Sequence, residues 1–183
     1  MEHIFVNKNI RLENVKLSMA AEIFSTIDRD REYLKKWLPF VEMTYLLSDT
    51  EKFIQSVIKQ KGKKKDDIYC IYYREEFAGL IRFKETDCVN NKTELGYWIA
   101  EKMQGKGIVT DSIKKLISYT FQKLRLNRIQ IKVAVGNTKS SAIPKRLGFW
   151  FEGIEKSGEY HKNKFFDLEI YSLLKKDWLN RKI

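Results

Sequence analysis

The sequence predicts a single α/β domain over residues 1–183 built on a mixed sheet, and three observations carry that prediction. A strand–turn–helix–strand unit spans residues 93–135, inside a set of runs that otherwise read as antiparallel strands. Residues 107–124 repeat Ile108, Val109, Ser112, Ile113, Leu116, Ile117, Thr120, Phe121 and Leu124. That is the spacing of a helix with one buried face, held for about five turns. The composition, 43% hydrophobic with nine Gly and two Pro, excludes a disordered or low-complexity chain and supplies a core for one domain rather than two.

Taken in order, residues 9–14 read as a first strand. Residues 18–38 carry helical spacing through Met19, Ile23, Phe24, Ile27, Tyr33, Leu34 and Trp37, and stop at Leu38-Pro39. Ser48 with Glu51 three residues later is a capping box that opens another helix, whose buried face is Phe53, Ile54, Val57 and Ile58. Residues 67–74 and 77–84 form a hairpin around Glu75-Glu76. Residues 93–100 (TELGYWIA) are apolar on both faces and read as a central strand. Residues 128–135 are the next strand, and a right-handed crossover would set it parallel to 93–100. A short helix at 137–147 stops at Gly148, residues 149–161 and 164–174 are the last two strands, and WLNRKI is a tail.

Several function classes fall away at once. Cys70 and Cys88 form no disulfide framework and read as reduced strand residues. With two His and no clustered Cys, no metal site is expected. Nothing reaches the roughly 18 apolar residues of a membrane helix. The polar start MEHIFVNKNI is unlike a signal peptide, so the chain is expected in the cytoplasm. Lys+Arg outnumber Asp+Glu by 35 to 24, a formal charge of +11, so nucleic acid, an anionic surface or an anionic small molecule are the partners to weigh. The densest run, Lys59 to Lys65, has no aromatic interleaved and reads as a solvated helix end and loop. No nucleic-acid module is present in the pattern.

The chemistry lies in Gln104-Gly105-Lys106-Gly107-Ile108-Val109, between a buried strand and the start of the most strongly periodic helix. A helix start leaves about four amides unbonded, with a partial positive charge. Glycines let the backbone turn tightly beneath a ligand. Together these make a phosphate cradle, to which Lys106 adds a mobile charge. It is not a P-loop, because Ile108 follows Gly107 where Lys and a hydroxyl are required. A dinucleotide fingerprint fails at Thr110, and no Asp or Glu ends the next strand. Taken alone, the segment is equally a simple turn.

The pattern Q-x-x-G-x-V (Gln104, Gly107, Val109) is followed, roughly 30 residues on, by N-x-x-S with a later L-G-F (Asn137, Ser140, Leu147, Gly148, Phe149). This pair, in this order, resembles the GNAT acetyltransferase superfamily, and the resemblance runs from about Ile10 to Leu174. The ELGYWI strand (Glu94 to Ile99) and the step Phe149, Glu152, Gly153 resemble the RimJ/RimL-type branch, which acetylates the N-termini of ribosomal proteins. The resemblance implies the GNAT fold: a twisted mixed sheet of about seven strands flanked by helices, splayed between 93–100 and 128–135. It implies acetyl-CoA as cosubstrate, held at the pyrophosphate by the amides of Gln104, Gly105, Lys106, Gly107, Ile108 and Val109. Val109 stands where the family has Ala or Gly, but a backbone donor does not depend on its side chain. Tyr97, Trp98 and Ile99 would pair with the pantetheine amides as strand with strand, and an amide near Ile99 would polarise the acetyl carbonyl. Asn137 would contact the pantetheine arm; its alternative is a helix cap. The family also implies a monomer or homodimer, and the ribosome as a possible partner.

Acyl transfer to nitrogen needs a neutral amine. An α-amino group, with a pKa of about 7.7–8.0, needs far less help than a lysine near 10.4. Many GNAT enzymes place a Tyr acid at the position occupied here by Pro144, so that acid is absent. The branch resemblance points instead to Ser140 as the donor to the leaving thiolate; the alternative is an ordinary first-turn serine. It points to Glu159 as the base, with Glu94 as the alternative. Trp37, Phe40, Tyr97, Trp98 and Tyr160 are candidates to line an acceptor groove or to fill the core. His161 reads as a surface hairpin residue, and Tyr171 as a packing one. The acceptor is a protein N-terminus or a small amine such as a polyamine or aminoglycoside; the alternative from another class is a non-catalytic acyl-CoA-binding or ribosome-docking module. The charge opposes cationic acceptors unless acidic pairs such as Asp66-Asp67 or Glu75-Glu76 reverse it locally.

Overall fold

A computed structural model describes residues 3–60 and 67–180, and its first hairpin contains a strand beyond those expected. β1 (His3–Asn7) pairs antiparallel with β2 (Ile10–Asn14). The turn between them closes on the Asn7 side chain, whose Oδ1 accepts from the amides of Asn9 (2.9 Å) and Ile10 (3.0 Å). A short alternating run with an Asx turn is a weak signal among polar residues, and this one raises the described strands to eight.

The chain divides into two compact units, one formed by 1–82 with 97–112, the other by 83–96 with 113–183. In the first unit β2 pairs with β3 (Ile68–Tyr73), and β3 with β4 (Glu76–Asp87), all antiparallel. The expected hairpin is present. Its two-residue turn is Arg74-Glu75, both at positive φ (+50° and +65°), as the twist of paired strands requires.

The expected helix 18–38 is not continuous. A 3-10 turn (Leu17–Met19) leads into α1 (Ala20–Arg29), Asp30 interrupts at φ −99° and ψ 19°, α2 (Arg31–Leu34) is one turn long, and a second 3-10 turn covers Pro39–Met43. The apolar periodicity survives the break, because Ile23, Ile27, Leu34 and Val41 all enter one core with Ile54, Ile68, Cys70, Phe77, Leu80 and Trp98. α3 (Leu47–Gln60) starts as expected, but its start is closed by Asp49, which accepts from the Tyr45 and Leu46 amides (3.0 and 2.9 Å), not by the Ser48–Glu51 box. Of its expected buried face, Ile54 and Val57 pack inward while Phe53 and Ile58 are exposed.

β5 (Lys92–Ile99) and β6 (Arg128–Ala134) are parallel where residues 92–94 and 128–130 of the second unit pair, and α4 (Ile108–Gln122) lies between them in the chain. Their register covers Lys92–Glu94 against Arg128–Gln130 and stops there. α4 buries Ile113, Leu116, Ile117 and Phe121. α5 (Thr138–Arg146) follows, then β7 (Trp150–His161) and β8 (Lys164–Leu174), with β8 seated between β6 and β7. The terminal segment is not a loose tail: it opens with α6 (Lys175–Asn180), whose Trp178 ring lies 5.5 Å from Phe121. The strand order is β1-β2-β3-β4-β5-β6-β8-β7, a mixed α/β sheet with eight strands instead of about seven. Cys70 is a buried strand residue as expected, whereas Cys88 sits exposed in the turn after β4. Most of the basic run, residues 61–65, lies outside the described residues.

Candidate active site

In the first unit the site begins where β5 ends. Trp98 is a core residue, its ring 5.9 Å from Phe77, so it offers a ligand no side chain. Its carbonyl oxygen lies against Gly79 of β4, where any Cβ would stand 2.2 Å away. The Ala100 amide turns the same way, to Ala78 O at 2.7 Å. Polar groups of successive strand residues point to opposite edges, so those of Tyr97 and Ile99 are aimed away from β4.

A 3-10 turn, Glu101–Met103, follows. It is pinned from 71 residues away: the Glu101 amide donates to Asp30 Oδ2 at 2.8 Å. Arg29 donates to the same carboxylate at 2.7 and 3.0 Å. Burial pushes the Asp30 carboxyl up, but the bonds from Arg29 and the Glu101 amide outweigh it and hold it below the usual carboxylate range. The Asp that breaks the predicted helix therefore anchors the approach to the glycine turn.

In that turn Gly105 and Gly107 have φ of +73° and +74°, and a Cβ at either would meet nothing within 4 Å. The glycines are required by the backbone, not by crowding, and the space above them is open. The first bond closing α4 is Asp111 N to Gly107 O, 3.0 Å, so the amides of Gly107, Ile108 and Val109 precede the helical ladder. Ile108 and Val109 bury their side chains and present only backbone. Lys106 Nζ lies 5.7 Å from the Tyr73 ring centre, and Arg74 stacks on the same ring at 5.3 Å. Lys106 thus sits in an open, amide-lined turn, which suits a diphosphate.

In the second unit Asn137 caps α5: its Oδ1 accepts from the Ser140 amide at 3.3 Å, which leaves its Nδ2 as the donor face. Ser140 is half-buried in the first turn. α5 continues through Pro144, which has no N–H to return to the Ser140 carbonyl.

The base candidates separate clearly. Glu94, its side chain 7% exposed, is engaged by Lys84 Nζ at 2.8 Å. Glu159 is half-buried and makes no ion pair among the described residues. Burial pushes its carboxyl above the usual range, the Glu94 charge adds to this, and Lys84 and His161 pull the other way. Glu159 reaches this position through a bulge. The register steps from Glu155↔Leu168 to Glu159↔Phe166, and Asp167 closes the gap by accepting from the Ser157 amide and Lys156, both at 2.8 Å. Beyond the bulge His161 is buried, not at the surface as expected. The Ser157-Gly158 step was the signal, but a bulge's length is not readable from a single strand. Tyr171 packs as expected and donates to Glu169 at 2.6 Å. Phe40 packs against the core of its unit, and Tyr160 is exposed beside Phe165.

Residues 9–150 match the acetyltransferase (GNAT) domain family. The chain is 37% identical over 181 residues to the "Putative ribosomal N-acetyltransferase YdaF" of Bacillus subtilis (strain 168), covering 97% of each. Among solved structures, the microcin C7 self-immunity acetyltransferase MccE, in complex with acetyl-CoA and AMP, superimposes with a TM-score of 0.91 at 32% identity, covering 94% of this chain and 96% of that one. RimL, a ribosomal L7/L12 α-N-protein acetyltransferase in complex with coenzyme A, does so with a TM-score of 0.90 at 25% identity, covering 94% and 98%.

The chain belongs to the GNAT acetyltransferases, and it is an acyltransferase. Acetyl-CoA is the donor of that family, and the open, glycine-bearing turn with Lys106 in it fits its diphosphate. Among the described residues no group of His, Cys, Asp and Glu is arranged to hold a metal, and no helix is long and apolar enough to cross a membrane.

Proposed function

We infer that this enzyme transfers acetyl from acetyl-CoA to the N-terminal α-amino group of a protein, a ribosomal protein first among candidates, by direct attack in a ternary complex. The single observation that carries the reading is Glu159: a carboxylate outside any described ion pair, held above the usual range by burial. Such a base is matched to an α-amino group, not to a lysine. In this reading the amides from Gln104 to Val109 bind the diphosphate, and Tyr97, Trp98 and Ile99 align the pantetheine arm with their backbone. The Asn137 amide group also binds that arm. Glu159 takes the proton of the acceptor ammonium. The nitrogen bonds to the acetyl carbon, the C–S bond breaks with its electron pair on sulfur, Ser140 donates its proton to that sulfur, and the second proton released by the nitrogen restores the Ser140 hydroxyl.

Small cationic amines are disfavoured, because the Glu75-Glu76 pair is neutralised: Glu75 pairs with Arg11 at 3.2 Å and Glu76 with Lys102, while Asp66 of the other acidic pair lies outside the described residues. The reading treats the chain as one catalytic domain working in the cytoplasm, as monomer or homodimer. The test is transfer of labelled acetyl to ribosomal-protein N-terminal peptides, with spermidine as the competitor class. Glu159→Gln is expected to lower turnover most at low pH with coenzyme A affinity unchanged; an unaltered pH–rate profile removes Glu159 from the reaction. Full activity in Ser140→Ala reduces Ser140 to a helix residue.

A further inference from the structure

The ammonium in the glycine turn is held in a way that leaves its charge intact. Lys106 Nζ donates to Met103 Sδ at 3.6 Å and lies over the Tyr73 ring, 5.7 Å from its centre. Lys106 makes no ion pair among the described residues. Carboxylates of the neighbouring segments are engaged elsewhere: Glu75 by Arg11, Glu76 by Lys102, and Asp111 by Asn7 Nδ2 at 3.2 Å. Met103 is 3% exposed, so its sulfur is a fixed point. Tyr73, the last residue of β3, is half-buried, whereas Lys106 stays exposed and open to a ligand.

The chemistry of the two holding groups decides what the lysine can do. A carboxylate would fix the side chain and cancel its charge, and an anionic ligand would have to displace it. A ring face and a thioether hold a cation through a quadrupole and a polarisable atom, and neither carries a net charge. The long side chain thus gives up part of its rotamer freedom before a ligand arrives, and its full charge remains for an anion.

We propose that Tyr73 is a positioning residue for the acyl donor: its ring, together with the Met103 sulfur, sets the Lys106 ammonium to meet the diphosphate of acetyl-CoA. Tyr73 acts through Lys106 and touches no ligand atom. The inference rests on the reading that the turn from Gln104 to Val109 takes that diphosphate. Arg74 stacks on the same ring at 5.3 Å, so a loss at Tyr73 is assigned by pairing the substitution with one at Lys106.

The test is calorimetric affinity for coenzyme A, with the full chain carrying Tyr73→Phe, Tyr73→Leu, Lys106→Gln, or the last two together. Tyr73→Leu is expected to weaken binding about threefold to fivefold, the range of an exposed cation–ring contact. Tyr73→Phe keeps the ring and should bind as wild type does. Lys106→Gln should weaken binding at least as much as Tyr73→Leu, and Tyr73→Leu should cost nothing further beside it. The same loss should appear with dephospho-coenzyme A, which keeps the diphosphate and lacks the 3′-phosphate. In turnover the loss should fall on KM for acetyl-CoA and spare kcat. Without any ligand, ring current should place the Lys106 Hε resonances upfield of those of other lysines in wild type and Tyr73→Phe, but not in Tyr73→Leu. Affinity at or above wild type in Tyr73→Leu or Lys106→Gln overturns the proposal. So does an equal loss in Tyr73→Phe or beside Lys106→Gln, a loss absent with dephospho-coenzyme A, a loss carried by kcat, or an unshifted Lys106 resonance. Wild-type coenzyme A affinity in Gly107→Ala instead overturns the diphosphate reading of the turn beneath it.

Discussion

Asp30 and Glu159 are two carboxylates whose environments push them in opposite directions, and acid should reveal both. Asp30 titrates below its unfolded value because Arg29 and the Glu101 amide bond its charged form. Its stabilisation is therefore full above the unfolded pKa and is lost as pH falls through the folded one. Asp30→Asn is expected to melt at a lower temperature than wild type at neutral pH, the gap narrowing on acidification. It should also raise KM for acetyl-CoA several-fold while leaving kcat closer to wild type, because it frees the turn at Glu101 and touches no reacting group. Glu159 titrates above its unfolded value, so its ionisation opposes folding, and that cost grows as pH rises through the folded pKa. Glu159→Gln should accordingly melt slightly higher than wild type at neutral pH while turning over more slowly. A thermal scan across pH reads both signs. At Gly107, φ of +74° in open space means that Ala meets no clash but must adopt a left-handed backbone. About 1 kcal/mol of stability should be lost, together with a larger share of coenzyme A affinity measured by calorimetry.

At the scale of elements, the local signals were legible and the long-range ones were not. The glycine turn, α4, α5 with its Asn137 cap and the two closing strands all follow from residues within one or two turns of each other. The Asn137→Ala change should cost about 1 kcal/mol by loss of the cap, and a chemical melt will show it. What escaped was set by partners distant in sequence. α1 stops at Asp30, whose carboxylate accepts from the Glu101 amide 71 residues away. His161 is buried because Asp167, on the neighbouring strand, closes the bulge that shifts β7. Asp167→Ala is expected to relax that bulge and reduce kcat through Glu159 while coenzyme A binding persists, since no residue of the diphosphate turn lies in β7. Equal loss of both functions would show that the bulge supports the fold rather than the base.

For the whole molecule, the formal charge of +11 favours a polyanionic donor. Affinity for coenzyme A should fall as salt rises from roughly 0.05 to 0.5 M, because the Debye length shrinks to a few ångströms. Saturating acetyl-CoA should raise the melting temperature, by linkage to the folded state alone. The sequence by itself determined the fold class, the glycine turn before α4 and the residues from which a base could be drawn. Those depend on hydrophobic period, on glycine conformation and on side-chain type, all of which are local. Only the tertiary structure shows that Lys84 pairs with Glu94 while Glu159 makes no ion pair among the described residues. It also decided that Trp98 is core and that His161 faces inward. Burial and ion pairing are properties of neighbours brought together by folding, and no single segment encodes its neighbours.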